Sequence, residues 1–307
     1  MKLMYEGKDI TNDIEVLLAR VYDRHGGVAD SIELLLSDKD KLWQHWNPNF
    51  NDQIEIIQDG FKSGVMFVDE AICSNGKYQI NAKSLPANHK TNNYKFWETI
   101  SFKELAQSLA SELSLSVEFY NINDFTYKRL DMINKTNIQF LNEMCILEGY
   151  SLKISDRKII IYSESNLENY AAVKSIRNDD FVGEPIFRKS INGSYRKCIV
   201  KSYSKSNELI ISEFEDTKIF GSTYTFYKTV NSKAEADRYC KNILRFFNKN
   251  IYTGCFSTRL DTSLAAGNVI NINKFYNFSG KYFITEIEHN LSKKLSVFKV
   301  RKVLEGY

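Results

Sequence analysis

Over the first ninety positions apolar and polar residues alternate. Ile32, Leu34 and Leu36 fall on every second position, as do Ile54 with Ile56 and Val65 with Phe67, the period that predicts strands with one buried face. Asp59-Gly60, Gly64 and Asn75-Gly76 supply turn chemistry between them, and short strands at this spacing predict a small barrel or sandwich over residues 1–95. Within it lies KLWQHWNPNF (41–50), whose Trp43 and Trp46 stand three apart ahead of Pro48. That spacing predicts a single helical turn plugging one end of the barrel.

The period then changes. Ser101 to Glu104 spells S-x-x-E, and Phe102, Leu105, Ala106, Leu109, Ala110 and Leu113 keep helical spacing, which predicts a capped amphipathic helix. A second capping box, Thr136 to Gln139, opens a helix through Leu141, Met144 and Cys145 that ends at Gly149, a residue suited to the left-handed position after a helix. A hairpin follows at 150–154 and 158–162. Residues 96–170 are thus expected to be a compact α/β module of two helices and a hairpin, with a linker at 171–184. Strands resume at 195–203 and from Glu208 to Phe214. A third capping box, Ser232 to Glu235, begins a helix whose apolar face is Ala236, Tyr239, Cys240, Ile243, Leu244 and Phe247. Four closing strands, at about 252–260, 268–273, 281–289 and 295–304, predict a second small barrel over 185–307 with that helix on its side. Gly267 and Gly280 each precede one of these strands and have the place of turn residues. Neither belongs to a phosphate-cradling glycine motif.

Composition narrows the function. The 307 residues carry 41 basic and 38 acidic side chains, a net charge of +3. The two signs are interspersed, which argues against nucleic-acid sequence recognition. The N-terminus MKLMYEGKDI has no signal-peptide core, and no apolar run is long enough to span a bilayer, so synthesis in the cytoplasm without membrane insertion is expected. Cys73, Cys145, Cys198, Cys240 and Cys255 are scattered, with no C-x-x-C pair and no nearby histidine. Buried free thiols are expected, with neither a disulfide framework nor a metal site. His25, His45, His89 and His289 lie far apart, and His289, at the end of a strand, is expected to be a hydrogen-bonded structural residue. Glu286 with Glu288, and Glu213 with Glu215, share strand faces; such pairs point in parallel and do not flank a scissile bond, so a solvated or lumen-facing edge is expected. No catalytic, metal or cofactor-binding residue is assigned. Two other readings remain: a peptidoglycan hydrolase, and a glycan-binding β protein using Trp43, Trp46 or Trp97.

The order of these segments resembles the baseplate hub proteins of contractile phage tails, the late-control gene D group, which is related to the hub part of type VI secretion spikes. In the C-terminal region the matching positions are Leu264, Ala266, Gly267, Gly280, Tyr282, Ile284, Ile287 and His289, with Ile287 where valine is commoner. In the middle, Trp97 and Thr99 match the entry to the first helix, and Phe140, Leu141, Gly149 and Asp156 match the second helix and hairpin. Thr136-Asn137 replaces the usual Ser-Asp there. Asp30 and Asp38 match the N-terminal pattern. The resemblance implies a mainly β chain: two related tail-tube-like barrels plus the α/β module. It implies a non-enzymatic homotrimer in which three chains present six quasi-equivalent modules, adapting a hexameric tail tube to a trimeric central spike. The chain stops at Tyr307 without a β-helical repeat, so a separate spike protein is expected. Other implied neighbours are a tape-measure protein and a small LysM-type baseplate component. The expected setting is the baseplate of a phage tail or of a phage-tail-like bacteriocin.

Overall fold

The computed structural model describes residues 1–203 and 209–307; Glu208, expected to start a strand, lies outside the described residues. The N-terminal half is β: β1 (Lys2–Tyr5), β2 (Lys8–Asp9), β3 (Val16–Arg24), β4 (Ser31–Ser37), β5 (Gln53–Gln58), β6 (Phe61–Lys62), β7 (Met66–Ser74) and β8 (Lys77–Lys83). Its main ladder runs β3-β4-β8-β7-β5-β1, antiparallel throughout. Alternation puts Ile32, Leu34 and Leu36 into the core, with Ile54, Ile56 and Ile80. Each such side chain contributes roughly 1.5–3 kcal/mol by leaving water. In β7 the phase is opposite to the one expected: Met66 and Val68 are buried, and Val65 and Phe67 lie on the other face. The run Val65-Met66-Phe67-Val68 is apolar in both phases, so alternation alone does not choose between them. The short helix α1 (Leu42–Trp46) buries Trp43 beside Tyr5 and Tyr78 at one end of this sheet.

The central module contains β9 (Asn93–Ser101), α2 (Phe102–Ser111), β10 (Ser116–Tyr120), β11 (Thr126–Lys135), α3 (Asn137–Glu148), β12 (Tyr150–Ser155), β13 (Lys158–Ser163) and α4 (Glu164–Asn169). Both capping boxes are made: Ser101 and Thr136 each accept from the backbone three residues on, and Glu104 and Gln139 reach back. Beyond the two helices and hairpin, β9 and β11 form an antiparallel ribbon, and β10 runs parallel to β13.

The C-terminal half comprises β14 (Lys174–Ile176), β15 (Ile186–Lys189), β16 (Lys197–Tyr203), β17 (Leu209–Glu215), β18 (Thr223–Tyr227), α5 (Lys233–Asn248), β19 (Tyr252–Arg259), β20 (Val269–Ile272), β21 (Gly280–Asn290) and β22 (Leu295–Lys302). Two expectations are corrected here. The segment expected as a linker contains β14, which pairs in parallel with β20. Helix α5 does not flank the C-terminal sheet. With β16, β17 and β18 it forms a unit inserted between β15 and β19, and its Ala236, Tyr239, Cys240 and Leu244 share a core with Phe102, Leu141 and Leu152 of the central module. The amphipathic period fixes which face of α5 is buried but not the sheet it meets.

Without that insertion, the C-terminal ladder runs β15-β19-β22-β21-β20-β14. If the strands of each half are lettered x, a, b, c, d, e in chain order, both ladders read a-b-e-d-c-x. The lettering covers the six main ladder strands of each half; the two-residue strands β2 and β6, paired with β1 and β5, have no counterpart in the second half among the described residues, and the shared path differs in direction at its last step, where β1 is antiparallel to β5 and β14 is parallel to β20. The sheets are not closed barrels: among the described residues no ladder joins β1 to β3 or β14 to β15. The outer edge of β3 is taken instead by β21, and an edge occupied by one partner cannot accept a second. The two halves therefore merge into one sheet of 14 strands.

Candidate functional site: the joint between the two β halves

Strand β21 is shared. Gly280 to Phe283 pair with β20, while Glu286 to Asn290 pair with β3, and a bulge between Ile284 and Glu286 changes the direction of the strand between its two partners. Across this seam Arg20 contacts Glu288 at 3.2 Å and Arg24 contacts Glu286 at 3.3 Å, while on either side of it Arg20 also contacts Glu33 at 3.1 Å and Lys299 contacts Glu286 at 2.9 Å. Glu286 and Glu288 are about a quarter exposed, at 22% and 24%, and serve as cross-strand ion partners.

The turn after β3 reaches the central module. The N–H groups of Gly26 and Gly27 both donate to the Leu152 carbonyl, at 3.1 and 2.9 Å, and that of Asp30 donates to Ile154 at 3.3 Å. A Cβ on Gly27 would stand 2.7 Å from Asn142 Oδ1, and its φ is +84°, so only glycine fits this approach. Asp23 meets Lys153 of the module and also accepts the Ala266 N–H at 2.9 Å. Burial pushes Asp30 up to about 7, reinforced by the charge of Asp23 and opposed by Lys153.

Beneath this turn lies a buried ionic cluster drawn from every part of the chain. His25 Nε2 is 2.9 Å from Glu164 Oε1 and its Nδ1 is 2.6 Å from the Tyr162 hydroxyl, so a neutral ring that donates from Nε2 to Glu164 and accepts at Nδ1 from Tyr162 satisfies both nitrogens. Burial lowers the His25 pKa despite Glu164. Arg245 Nη2 is 2.6 Å from Glu168 Oε1, Lys249 Nζ is 3.1 Å from Glu164 Oε1, and Arg301 Nη2 contacts Glu168 and, at 3.3 Å, Glu164. Burial alone would raise Glu164, but Arg301, Lys249 and His25 outweigh it and hold its carboxyl well below the usual range. Lys249 is lowered by burial, with Glu164 opposing. Three fixed cations thus face two carboxylates. Arg301 also lies over the Phe283 ring, 4.6 Å from its centre.

Ser151 Oγ stands 3.2 Å from His25 Nδ1, so Ser151, His25 and Glu164 have the spacing of a hydrolase triad. The arrangement cannot act as one. All three side chains are buried, Tyr162 occupies Nδ1, and the cavity of about 20 Å³ that reaches Glu164 is lined by neither Ser151 nor His25. Among the described residues no group of three His, Cys, Asp or Glu side chains is placed to hold a metal ion, and no helix is long and apolar enough to cross a membrane.

The residues singled out in the sequence are dispersed through the framework. Trp97 stacks on Phe140 at 5.7 Å, with Leu141 buried beside it. Gly149 ends α3 at φ +75°, and a Cβ there would lie 2.7 Å from Asn242 Oδ1 on α5. Gly267 and Gly280 have φ +98° and +138°. Buried Tyr282 donates to the Phe278 carbonyl at 2.8 Å, and buried His289 Nδ1 is 2.9 Å from Ser296 Oγ. Three cysteines are buried, but Cys73 and Cys255 are exposed, contrary to expectation, because both occupy solvent-facing strand positions. Of the tryptophans proposed for glycan contact, Trp43 is buried and Trp46 is half exposed. The ionic joint was not foreseen. Its one sequence signal is a matched spacing: Glu164 and Glu168 four apart on α4, and Arg245 of α5 and the Lys249 that caps its C-terminus four apart. Nothing local marks Arg301, which shares its strand face with the exposed Lys299.

No family model matches the sequence, and no curated protein does. Solved structures do match in fold. A tail protein from Neisseria meningitidis MC58 superposes with TM-score 0.78 at 10% identity, over 98% of this chain and 95% of that one. The 43 kDa tail protein of prophage MuSo2 from Shewanella oneidensis gives TM-score 0.78 at 12% identity, over 98% of both chains. The c3393 protein of E. coli, described as a type VI secretion component structurally similar to the T4 bacteriophage tail proteins gp27 and gp5, gives 0.65 at 10% identity, over 100% of this chain and 79% of that one. This chain has the fold of those tail and type VI secretion proteins, along nearly its whole length.

Proposed function

We propose that the chain is a structural, non-enzymatic hub of a contractile tail: a homotrimer that joins the hexameric tail tube to the trimeric central spike in the baseplate of a phage tail or phage-tail-like particle. The observation that carries this reading is the repeated a-b-e-d-c-x ladder. A ring built from three copies of a chain with two like halves offers six similar surfaces while keeping threefold symmetry, which reconciles neighbours whose closed symmetries differ. The buried joint suits the role, because a hub that transmits load needs its halves held at a fixed angle. The tube and spike proteins are the proposed direct partners, with a tape-measure protein at the lumen and a LysM-type component alongside. The fold shared with the Neisseria, Shewanella and E. coli proteins supports the assignment.

The hydrolase reading is less well supported: Ser151, His25 and Glu164 are buried, and Glu286, Glu288, Glu213 and Glu215 are all engaged by arginine or lysine. The test is co-expression with the spike and tube proteins of the same particle, followed by native mass spectrometry. Three copies bound to one spike trimer are expected; a monodisperse monomer that ignores both proteins would overturn the proposal.

A further inference from the structure

The two β halves finish alike at the pole away from the central module. In the first, the segment leading into β3 and the β4–β5 connection enclose an open cleft of about 350 Å³. In the second, the segment leading into β15 and the β19–β20 connection enclose one of about 520 Å³. In the repeated ladder these are the same place, the end of the unlaced seam between strands x and a. Their chemistry also corresponds. Ile14, Trp43 and Trp46 line the first beside exposed Asp13, Glu15 and Asp40; Phe181 and Leu264 line the second beside exposed Asp179 and Asp180. The first cleft sets four carboxylates against Lys39, and Asp38 among them is spent on capping α1. The second sets three against Lys174 and Arg259, and Lys174 is spent on Asp261 at 2.5 Å. With Lys174 and Asp261 paired to each other, Asp179 and Asp180 face Arg259 in the second, so the first cleft is strongly acidic and the second acidic by a single charge, on a chain whose net charge is +3. At the mouth of the first, Leu42 and Trp46 leave 65% and 50% of their surface in water, the kind of aromatic and apolar anchor that dominates interfaces.

We infer that the two clefts are quasi-equivalent docking sites for one repeated element of a ring-shaped protein partner: a loop that carries a lysine or arginine beside an apolar side chain. The inference rests on the hub reading and deepens it, since three chains would offer six such clefts on one face to a sixfold ring. The cation meets the carboxylate rim and steers the encounter, and the apolar side chain fills the floor. Charge complementarity selects the occupant, because an acidic or purely polar loop would be repelled or left unpaired there.

The experiment immobilises the full chain with its spike and follows association of the tube protein of the same particle, purified as hexameric rings, at low and high salt. D13K/E15K in the first cleft and D179K in the second should each slow association roughly tenfold and flatten its salt dependence, as rim charges do. Trp46→Ala should speed dissociation, and E98K, on the central module, should change nothing. All the reversed positions are exposed, and circular dichroism checks that the variants fold; D13N/E15N repeats the measurement if they do not. Ring binding unaffected by the reversals, or affected at one cleft only, would overturn this inference while leaving the hub intact. A wild-type assembly that does not bind the rings at all would overturn the hub reading itself.

Discussion

Removing a carboxylate from the buried joint should destabilise the protein more than removing a cation. Arg301 is fully buried and contacts Glu168 and Glu164, while Arg245 and Lys249 contact the same two carboxylates. At an effective dielectric constant of about 20, a contact of about 3 Å is worth roughly 5 kcal/mol gross, and desolvation cancels much of it. Arg301→Met keeps most of the packing over Phe283 and leaves two cations facing two carboxylates, a balanced cluster. It also removes Nε and Nη1, which are buried without a hydrogen-bond partner among the described residues. The expected loss is about 2–3 kcal/mol, below the usual range for breaking a buried pair. Glu168→Gln keeps the shape but leaves three cations facing Glu164 alone, and should cost about 4–5 kcal/mol. Urea unfolding is the suitable assay, because the denaturant is uncharged. With a slope near 3 kcal/mol/M, the midpoints should fall by roughly 1 M and 1.5 M respectively. The double variant should lose less than the sum of the two, because the residues share one network. Equal losses, or a larger loss for Arg301→Met, would refute the charge count as the organising feature of the joint.

Other expectations follow from the same geometry. Gly149→Ala, which places a Cβ 2.7 Å from Asn242 Oδ1 at φ +75°, should cost roughly 2–3 kcal/mol, from left-handed strain and the strained Asn242–Leu147 hydrogen bond; thermal unfolding reads it. Asp30, raised to about 7, binds more protons folded than unfolded between about pH 4 and 7, so its contribution favours the folded state below that window and is lost as pH rises through it. Asp30→Asn should therefore stabilise the protein at pH 8, by on the order of 4 kcal/mol at most, and change little at pH 4; a pH series of urea midpoints tests the sign. His25, lowered by burial, works in the opposite sense, binding fewer protons when folded, so His25→Gln should reduce the loss of stability below about pH 6.5. Arg24→Ala, at a quarter-exposed seam pair, should cost less than about 1 kcal/mol, and a larger drop in midpoint would show that the seam bears more of the fold than its exposure suggests.

Local order was legible from the chain. Ser101 with Glu104 and Thr136 with Gln139 set helix starts because capping uses groups three residues apart, and Ile32, Leu34 and Leu36 set a strand face because the strand period is two. The alternation in Tyr94-Lys95-Phe96-Trp97 and in Thr223 to Tyr227 carried a strand signal as well, although no strand was expected at either place. The doubling of the β region was also visible as two like runs of short strands at the ends of the sequence.

What the tertiary structure decided is how those runs meet. Periodicity states that a face is apolar, and any sheet of suitable shape satisfies it; hence α5 covers the central module and not the strands that follow it in sequence. Edge pairing depends on which backbone groups are left free, which no side chain encodes, so β21 binding β3 in place of barrel closure could not be foreseen. The ionic joint is the extreme case. His25, Glu164, Glu168, Arg245 and Arg301 span most of the chain length, and each is an ordinary polar residue in its own neighbourhood. Only when four separate elements converge do their charges leave water together, and that shared loss of solvent makes them depend on one another.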